Sequence, residues 1–288
     1  MTFMPGMQQQ TIRANGIRVN AWVGGAGDPV VMLHGYPQTA QMWRKVAPAM
    51  LNRFTVVCPD LRGYGDSDKP RDGYDKRSMA KDVNETMKAL GFERFAVVGH
   101  DRGARVSHRL AMDYPQSVKS LTVLDIVPTH TVFRDTGKDL AAAYWHWFFF
   151  QLPDLPEIML AQSAEPFLRN MFRALCYRQD AIEEPMFAEY LRAFTLPGTI
   201  RAGLEDYRAA AKQDIADDER DLAKKLACPV LAIWGEHGKM HTLFDVLATW
   251  REKATDVRGH ALPCGHFIPE EAPTELLRDL IPFLGGER

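Results

Sequence analysis

Apolar residues in the first third of the chain fall in short runs separated by longer amphipathic stretches. Val30-Val31-Met32-Leu33, Phe54-Thr55-Val56-Val57, Phe95-Ala96-Val97-Val98 and Ser120-Leu121-Thr122-Val123-Leu124 are mostly apolar, as strands covered on both faces are. Ahead of them, Gln10-Thr11-Ile12-Arg13 and Ile17-Arg18-Val19-Asn20-Ala21-Trp22 flank Asn15-Gly16. Both residues of that dipeptide tolerate left-handed backbone, so a tight hairpin is expected. Helical periodicity occupies 78–90 and 102–114. Strands alternating with helices imply a mostly parallel sheet joined by right-handed crossovers, an α/β fold of about eight strands.

From about residue 131 to 215 the alternation stops. Helical patterns follow one another at 138–151, 156–163, 166–177, 184–194 and 199–212, rich in aromatics and punctuated by Pro153, Pro156, Pro166 and Pro185. Strand patterning resumes at Pro229-Val230-Leu231-Ala232-Ile233-Trp234 and near 257–262, and a helix over 273–284 follows. We therefore expect a core domain of residues 1–130 and 216–288. An all-helical cap of residues 131–215 is expected over the carboxyl ends of the strands, where such sheets carry their chemistry.

Composition excludes several classes of function. Hydrophobic residues make up 46% of the 288 positions and charged residues 25%, which is ordinary for a globular chain. A net charge of −2 gives no reason to expect nucleic acid or an anionic membrane as partner. The longest aromatic run, Phe148-Phe149-Phe150, is far too short to span a bilayer. Residues 1–10 have neither a basic nor an apolar leader pattern, so a cytoplasmic location is expected. Cys58, Cys176, Cys228 and Cys264 lack metal-ligand spacing. Cys58 and Cys264 adjoin strand ends and read as buried free thiols.

The chemistry is concentrated at Gly99-His100-Asp101-Arg102-Gly103, directly after an apolar strand. Glycine-x-nucleophile-x-glycine between strand and helix marks a turn so sharp that the central side chain projects above the sheet. The nucleophile here is an aspartate, which excludes serine esterase chemistry. A carboxylate attacks a saturated carbon, forms an ester on its own side chain, and that ester must be hydrolysed. His266, after the last strand and before the last helix, is the candidate base for the water. Asp125, at the end of the sixth strand, is the candidate carboxylate that orients it. Glu236 is the alternative, since Gly238 fills the usual acid position after the seventh strand. The backbone N–H groups of Tyr36, in His34-Gly35-Tyr36-Pro37, and of Arg102 are the candidate oxyanion donors. The His34 side chain reads as structural.

His34-Gly35-Tyr36-Pro37, the segment from Pro59 through Asp60-Leu61-Arg62-Gly63-Tyr64-Gly65-Asp66 to Ser67, and the elbow itself resemble the α/β-hydrolase superfamily, in its haloalkane dehalogenase and epoxide hydrolase branch. Many members place tryptophan after the nucleophile, whereas this chain has Arg102 and, three residues on, Arg105 on the same helix face. Two guanidiniums in a buried floor need an anion, and their forks match a carboxylate. A substrate with a carboxylate beside its reacting carbon is therefore expected. The pattern Asp101-Arg102-x-x-Arg105 with His146, Trp147 and Tyr207 resembles the fluoroacetate (haloacetate) dehalogenases. The resemblance implies Arg102 and Arg105 as carboxylate ligands and His146, Trp147 and Tyr207 as halide ligands. It also implies a homodimer and a small haloacid as the only other partner, with no metal or organic cofactor. An epoxide hydrolase is the alternative, with Tyr144, Tyr190 or Tyr207 protonating the opening ring.

Overall fold

The computed structural model describes residues 3–286. Eight strands form one sheet in the order β1-β2-β4-β3-β5-β6-β7-β8. β1 (Met7–Ala14) and β2 (Ile17–Gly25) are antiparallel, and β2 is antiparallel to β4 (Phe54–Pro59). β3 (Asp28–Leu33), β5 (Phe95–His100), β6 (Val118–Leu124), β7 (Val230–Gly235) and β8 (Val257–Leu262) join β4 in a parallel array. The hairpin closes at Ala14↔Ile17, with Asn15 and Gly16 at φ 46° and 79°, the left-handed pair that a two-residue turn requires.

Every residue of the central strand β5 is buried, as its unbroken apolar run demands. Helices α1 (Lys76–Ala89) and α2 (Arg102–Asp113) pack on the sheet and on each other. The start of α1 is fixed by Asp75, whose carboxylate accepts the Ser78 N–H at 2.9 Å.

Between β6 and β7 the chain is helical: α3 (Thr129–Arg134), α4 (Lys138–Ala143), α5 (Trp145–Phe149), α6 (Leu155–Gln162), α7 (Ala164–Leu175), α8 (Glu184–Phe194), α9 (Thr199–Ala209) and α10 (Ile215–Arg220). Two periodic stretches break where the sequence pattern runs on. The one over 138–151 divides at Tyr144, which leaves helical geometry at φ −113°, ψ 38°. The one over 199–212 passes from α9 through a wide π-helical turn at Ala210–Asp214 into α10. That turn lets Asp214 Oδ1 accept the Lys76 N–H of α1 at 2.8 Å, a tertiary bond that periodicity does not report. The helical stretch thus runs from Thr129 to Arg220, wider at both ends than the sequence pattern. Short helices α11 (Lys239–Leu243) and α12 (Val246–Arg251) separate β7 from β8, and α13 (Ile268–Glu271) precedes α14 (Pro273–Leu284).

One apolar cluster runs through both parts, from Val97, Val98 and Leu124 of the sheet to Phe150, Leu168 and Tyr190 of the insertion. All four cysteines are free, with Cys58 and Cys264 buried. Among the described residues no helix is long and apolar enough to cross a membrane.

Candidate active site

β5 ends at His100 and α2 begins at Arg102, so Asp101 alone turns the chain, at φ 47°, ψ −116°. A side chain held there costs on the order of 1–3 kcal/mol and persists only where its surroundings over-determine it. The surroundings are tight. A Cβ on Gly103 would lie 2.3 Å from the His34 carbonyl oxygen, and one on Gly35 2.5 Å from Asp101 Cβ. Only backbone fits at those two positions.

The loop after β3 reaches the same point. The Tyr36 N–H donates to Asp101 Oδ1 at 2.9 Å. Arg102 opens α2, where a backbone N–H has no carbonyl one turn back to bond. One carboxylate oxygen is therefore tethered, while Oδ2 makes no hydrogen bond among the described residues. His34 holds this loop: its Nε2 accepts the Leu61 N–H at 3.0 Å, which leaves the proton on Nδ1, 3.1 Å from the Gly35 carbonyl. Burial disfavours the Asp101 charge, but His266, His100, Arg102 and Arg105 together outweigh it and hold its carboxyl below the usual range.

At the ends of β6 and β8, Asp125 Oδ2 lies 2.6 Å from His266 Nδ1, and Asp125 Oδ1 accepts the Gly235 N–H at 2.9 Å. Burial lowers the affinity of His266 for a proton. The hydrogen bond and charge of Asp125, with the charge of Asp101, reverse this and raise its pKa above the ordinary value. Glu236 is exposed. A Cβ on Gly238 would fall 3.3 Å from Asp125 Oδ1, so the two alternative acid positions converge on one spot and Asp125 occupies it.

Arg102 and Arg105 are both buried beside Asp101 but differ in their partners. Arg102 Nε donates to Asp206 Oδ1 at 3.2 Å, and its Nη2 donates to the Asp206 carbonyl at 2.8 Å. Arg105 Nη1 donates to the Val127 carbonyl at 3.1 Å and Thr129 Oγ1 at 2.9 Å. Among the described residues Arg105 forms no ion pair. Arg102 Nη1 and Arg105 Nε are buried without any acceptor. Burial and then the charge of Arg102 bring the Arg105 pKa down to about 10.

The insertion brings His146, Trp147 and Tyr207 over these guanidiniums. Ring centroids of Tyr207 lie 5.8 Å from His146 and 5.7 Å from Trp147. Arg102 Cζ lies 4.3 Å from the Tyr207 ring and Arg105 Cζ 4.6 Å from the Trp147 ring. Among the described residues none of the three side chains has a hydrogen-bond partner in the protein, so their donors are free for a ligand. Burial brings the His146 pKa down to about 4 and keeps the ring neutral.

Two residues that the sequence did not single out complete the site. Asp206 receives Arg102, the ammonium of Lys76 and, at 2.7 Å, the Tyr64 hydroxyl. Burial opposes its charge, yet Arg102 and Lys76 hold its carboxyl well below the usual range. His100 Nε2 lies 2.8 Å from the His266 carbonyl and must donate to it, tying the elbow to the histidine loop. Burial brings its pKa down to about 3. Among the described residues no group of three or more His, Cys, Asp or Glu is arranged to hold a metal ion.

A strand–aspartate–helix turn, an Asp–His pair meeting beyond the ends of β6 and β8, and a helical roof define a hydrolase of the α/β type. Residues 28–273 match the alpha/beta hydrolase fold family, and the chain belongs to that family. It is 39% identical over 290 residues to a fluoroacetate dehalogenase of Burkholderia sp, covering 98% of this chain and 95% of that protein. It is 38% identical over 282 residues to a soluble epoxide hydrolase of Corynebacterium sp. (strain C12), covering 95% and 96%. The crystal structure of ALR0039 from Nostoc sp PCC 7120 superposes with a TM-score of 0.96 at 49% identity, over 98% of this chain and 99% of that one.

Proposed function

We propose that the protein is a haloacetate dehalogenase, converting short 2-haloacids such as fluoroacetate or chloroacetate to glycolate and halide. The observation that carries this reading is the pair of buried guanidiniums beside Asp101, with Arg105 lacking a carboxylate partner and donors on both left unmet. An uncompensated buried cation is costly, and a substrate carboxylate supplies both the charge and the acceptors.

Arg102 and Arg105 clamp the carboxylate and set the α-carbon in line with Asp101 Oδ2, the untethered oxygen. Positioning of this kind removes roughly 7–11 kcal/mol of barrier in favourable systems. Oδ2 forms the new C–O bond as the halide departs with the electron pair of the C–halogen bond. His146, Trp147 and Tyr207 donate to it as its charge develops. Esterification removes the Asp101 charge, and the carboxylate of the bound group remains as counterion to the arginines.

Water then attacks the ester carbonyl, giving up a proton to His266 Nε2 while Asp125 stabilises the imidazolium. The oxyanion forms at Oδ1, where the Tyr36 N–H already points, with the Arg102 N–H as second donor. Collapse breaks the Cγ–Oδ2 bond, the remaining proton of the attacking water passes to the departing alkoxide to give glycolate and the Asp101 carboxylate, and His266 gives its proton to solvent. No metal or organic cofactor enters these steps.

The reading includes residues 131–215 as a cap, a cytoplasmic location, and a homodimer formed through the cap. Trp145, Phe148, Leu152, Leu155, Ile158 and Met159 leave α5, α6 and the turn between them with apolar side chains exposed, a surface that a second copy would cover.

The Corynebacterium relative supports epoxide opening as a second reading, because the same aspartate and histidine serve it. Halide release from fluoro-, chloro- and bromoacetate, set beside styrene oxide turnover, separates the two. Styrene oxide hydrolysis without halide release from any haloacetate would overturn the dehalogenase.

A further inference from the structure

Glu271 closes α13, five residues after His266, and its side chain is almost wholly enclosed, the residue being 2% exposed. Its carboxylate makes no ion pair among the described residues. It accepts four backbone N–H groups instead: Tyr177 at 2.8 Å, Arg178 at 2.9 Å and Gly265 at 2.9 Å on Oε2, and Phe267 at 3.0 Å on Oε1. A carboxylate with several backbone donors is a strong acceptor, because charge-assisted bonds exceed neutral ones.

The identity of the donors matters. Gly265 and Phe267 flank His266, so the N–H groups of the residues on either side of the histidine are aimed at one acceptor. The other two donors belong to the insertion, just beyond α7. The same seam carries the His266 N–H to the Leu175 carbonyl at 3.0 Å and Arg178 Nη1 to the Glu271 carbonyl at 2.7 Å. With His100 on the His266 carbonyl, every backbone polar group from Gly265 N–H to Phe267 N–H, apart from the Gly265 carbonyl, has a partner named here.

We infer that Glu271 is a positioning residue, which fixes His266 against Asp125 by binding the N–H groups of both its neighbours and locks this loop to the insertion's 177–178 segment. The inference rests on His266 acting as the base of ester hydrolysis. In that scheme Glu271 governs the second chemical step and leaves the first, the attack of Asp101, unchanged.

The test is the Glu271→Gln enzyme with chloroacetate, followed by rapid quench and intact mass of the Asp101 ester. Glutamine keeps the size but replaces one acceptor oxygen with an NH2 donor that opposes the N–H groups facing it. The expected result is a rate of ester formation within twofold of the unaltered protein, hydrolysis slower by tenfold or more, and a matching rise in the steady-state ester. Amide exchange at 177, 178, 265 and 267 is expected to quicken together. An unchanged ratio of formation to hydrolysis in folded Glu271→Gln protein would overturn the inference, since a merely structural role lowers both in step with the folded fraction. If that variant does not fold, Arg178→Ala, which loosens the same seam from its exposed side, is expected to shift the ratio in the same direction, and an unchanged ratio there overturns it too. His266→Ala is the control for the underlying reading. If it traps no ester, the dehalogenase scheme has failed; if it does, the Glu271 variants are judged on their own.

Discussion

Arg102 of α2 and Asp206 of α9 lie on opposite sides of the seam between sheet and insertion, and Arg102 Nη2 donates to Asp206 Oδ1 at 2.5 Å. Neither is exposed at all. The pair fixes one arginine of the floor and, through the next residue, places Tyr207 over it. Asp206 therefore joins the two ends of the proposed substrate site, carboxylate and halide.

Replacing Asp206 by asparagine preserves shape and removes the charge shared by Arg102 and Lys76. Breaking one partner of a buried pair costs about 3–5 kcal/mol, so a comparable loss in urea unfolding is expected. Chloroacetate should then raise the melting temperature of the variant more than that of the unaltered protein, because it replaces the missing anion. Equal shifts would count against an anion site at Arg102.

Asp125→Asn should leave halide release in the first turnover intact and slow later turnovers, because it presents His266 Nδ1 with a donor where an acceptor stood. In a serine protease the equivalent change lowers kcat about 10⁴-fold. A single-turnover burst followed by a slow phase, read by halide electrode, is the expected trace. A lost burst would mean that Asp125 acts in the first step.

The pH profile follows from the groups named. His266 acts as a base when neutral, and its pKa is raised above 6.5. Ester hydrolysis should therefore decline as pH falls through that raised value, while Asp101, held below the usual carboxylate range, still attacks. Ester should accumulate on the acid side. On the alkaline side Arg105, its pKa brought down to about 10, loses its proton, so the KM for haloacetate should climb there before kcat falls. For stability the signs differ by residue. The raised His266 contributes most below its unfolded pKa and loses this as pH rises through its folded one. His100 and His146, lowered to about 3 and about 4, contribute above their unfolded pKa and lose this as pH falls toward those values.

Ile158→Lys together with Met159→Glu places charge in the exposed stripe of α6. If the stripe is the dimer surface, light scattering should show half the mass for the variant, with activity per chain retained. A monomeric mass for the unaltered protein would remove the dimer.

Much of this was legible in one dimension. The apolar runs lie within the strands, the 184–194 and 273–284 patterns match their helices end to end, and Asn15-Gly16 makes its turn, because these depend on neighbours two to four residues apart. The elbow was legible for the same reason: strand, glycine, aspartate, glycine and helix are contiguous. Asp206 was not. It lies in a polar stretch, Glu205-Asp206-Tyr207-Arg208, that reads equally well as solvated helix, and its partner is 104 residues away.

Contiguous residues alone establish that an aspartate stands at the turn, that a histidine follows the last strand, and that two arginines share the helix face after the turn. Local backbone chemistry is enough to specify those. Only the folded arrangement settles which carboxylate meets His266, that Asp206 takes Arg102 while Arg105 stays unpaired, and that Glu271 gathers the N–H groups of both residues beside the histidine. Each of these is a choice among several polar groups of similar type. Only burial, by removing water as the competing partner, makes the choice unique.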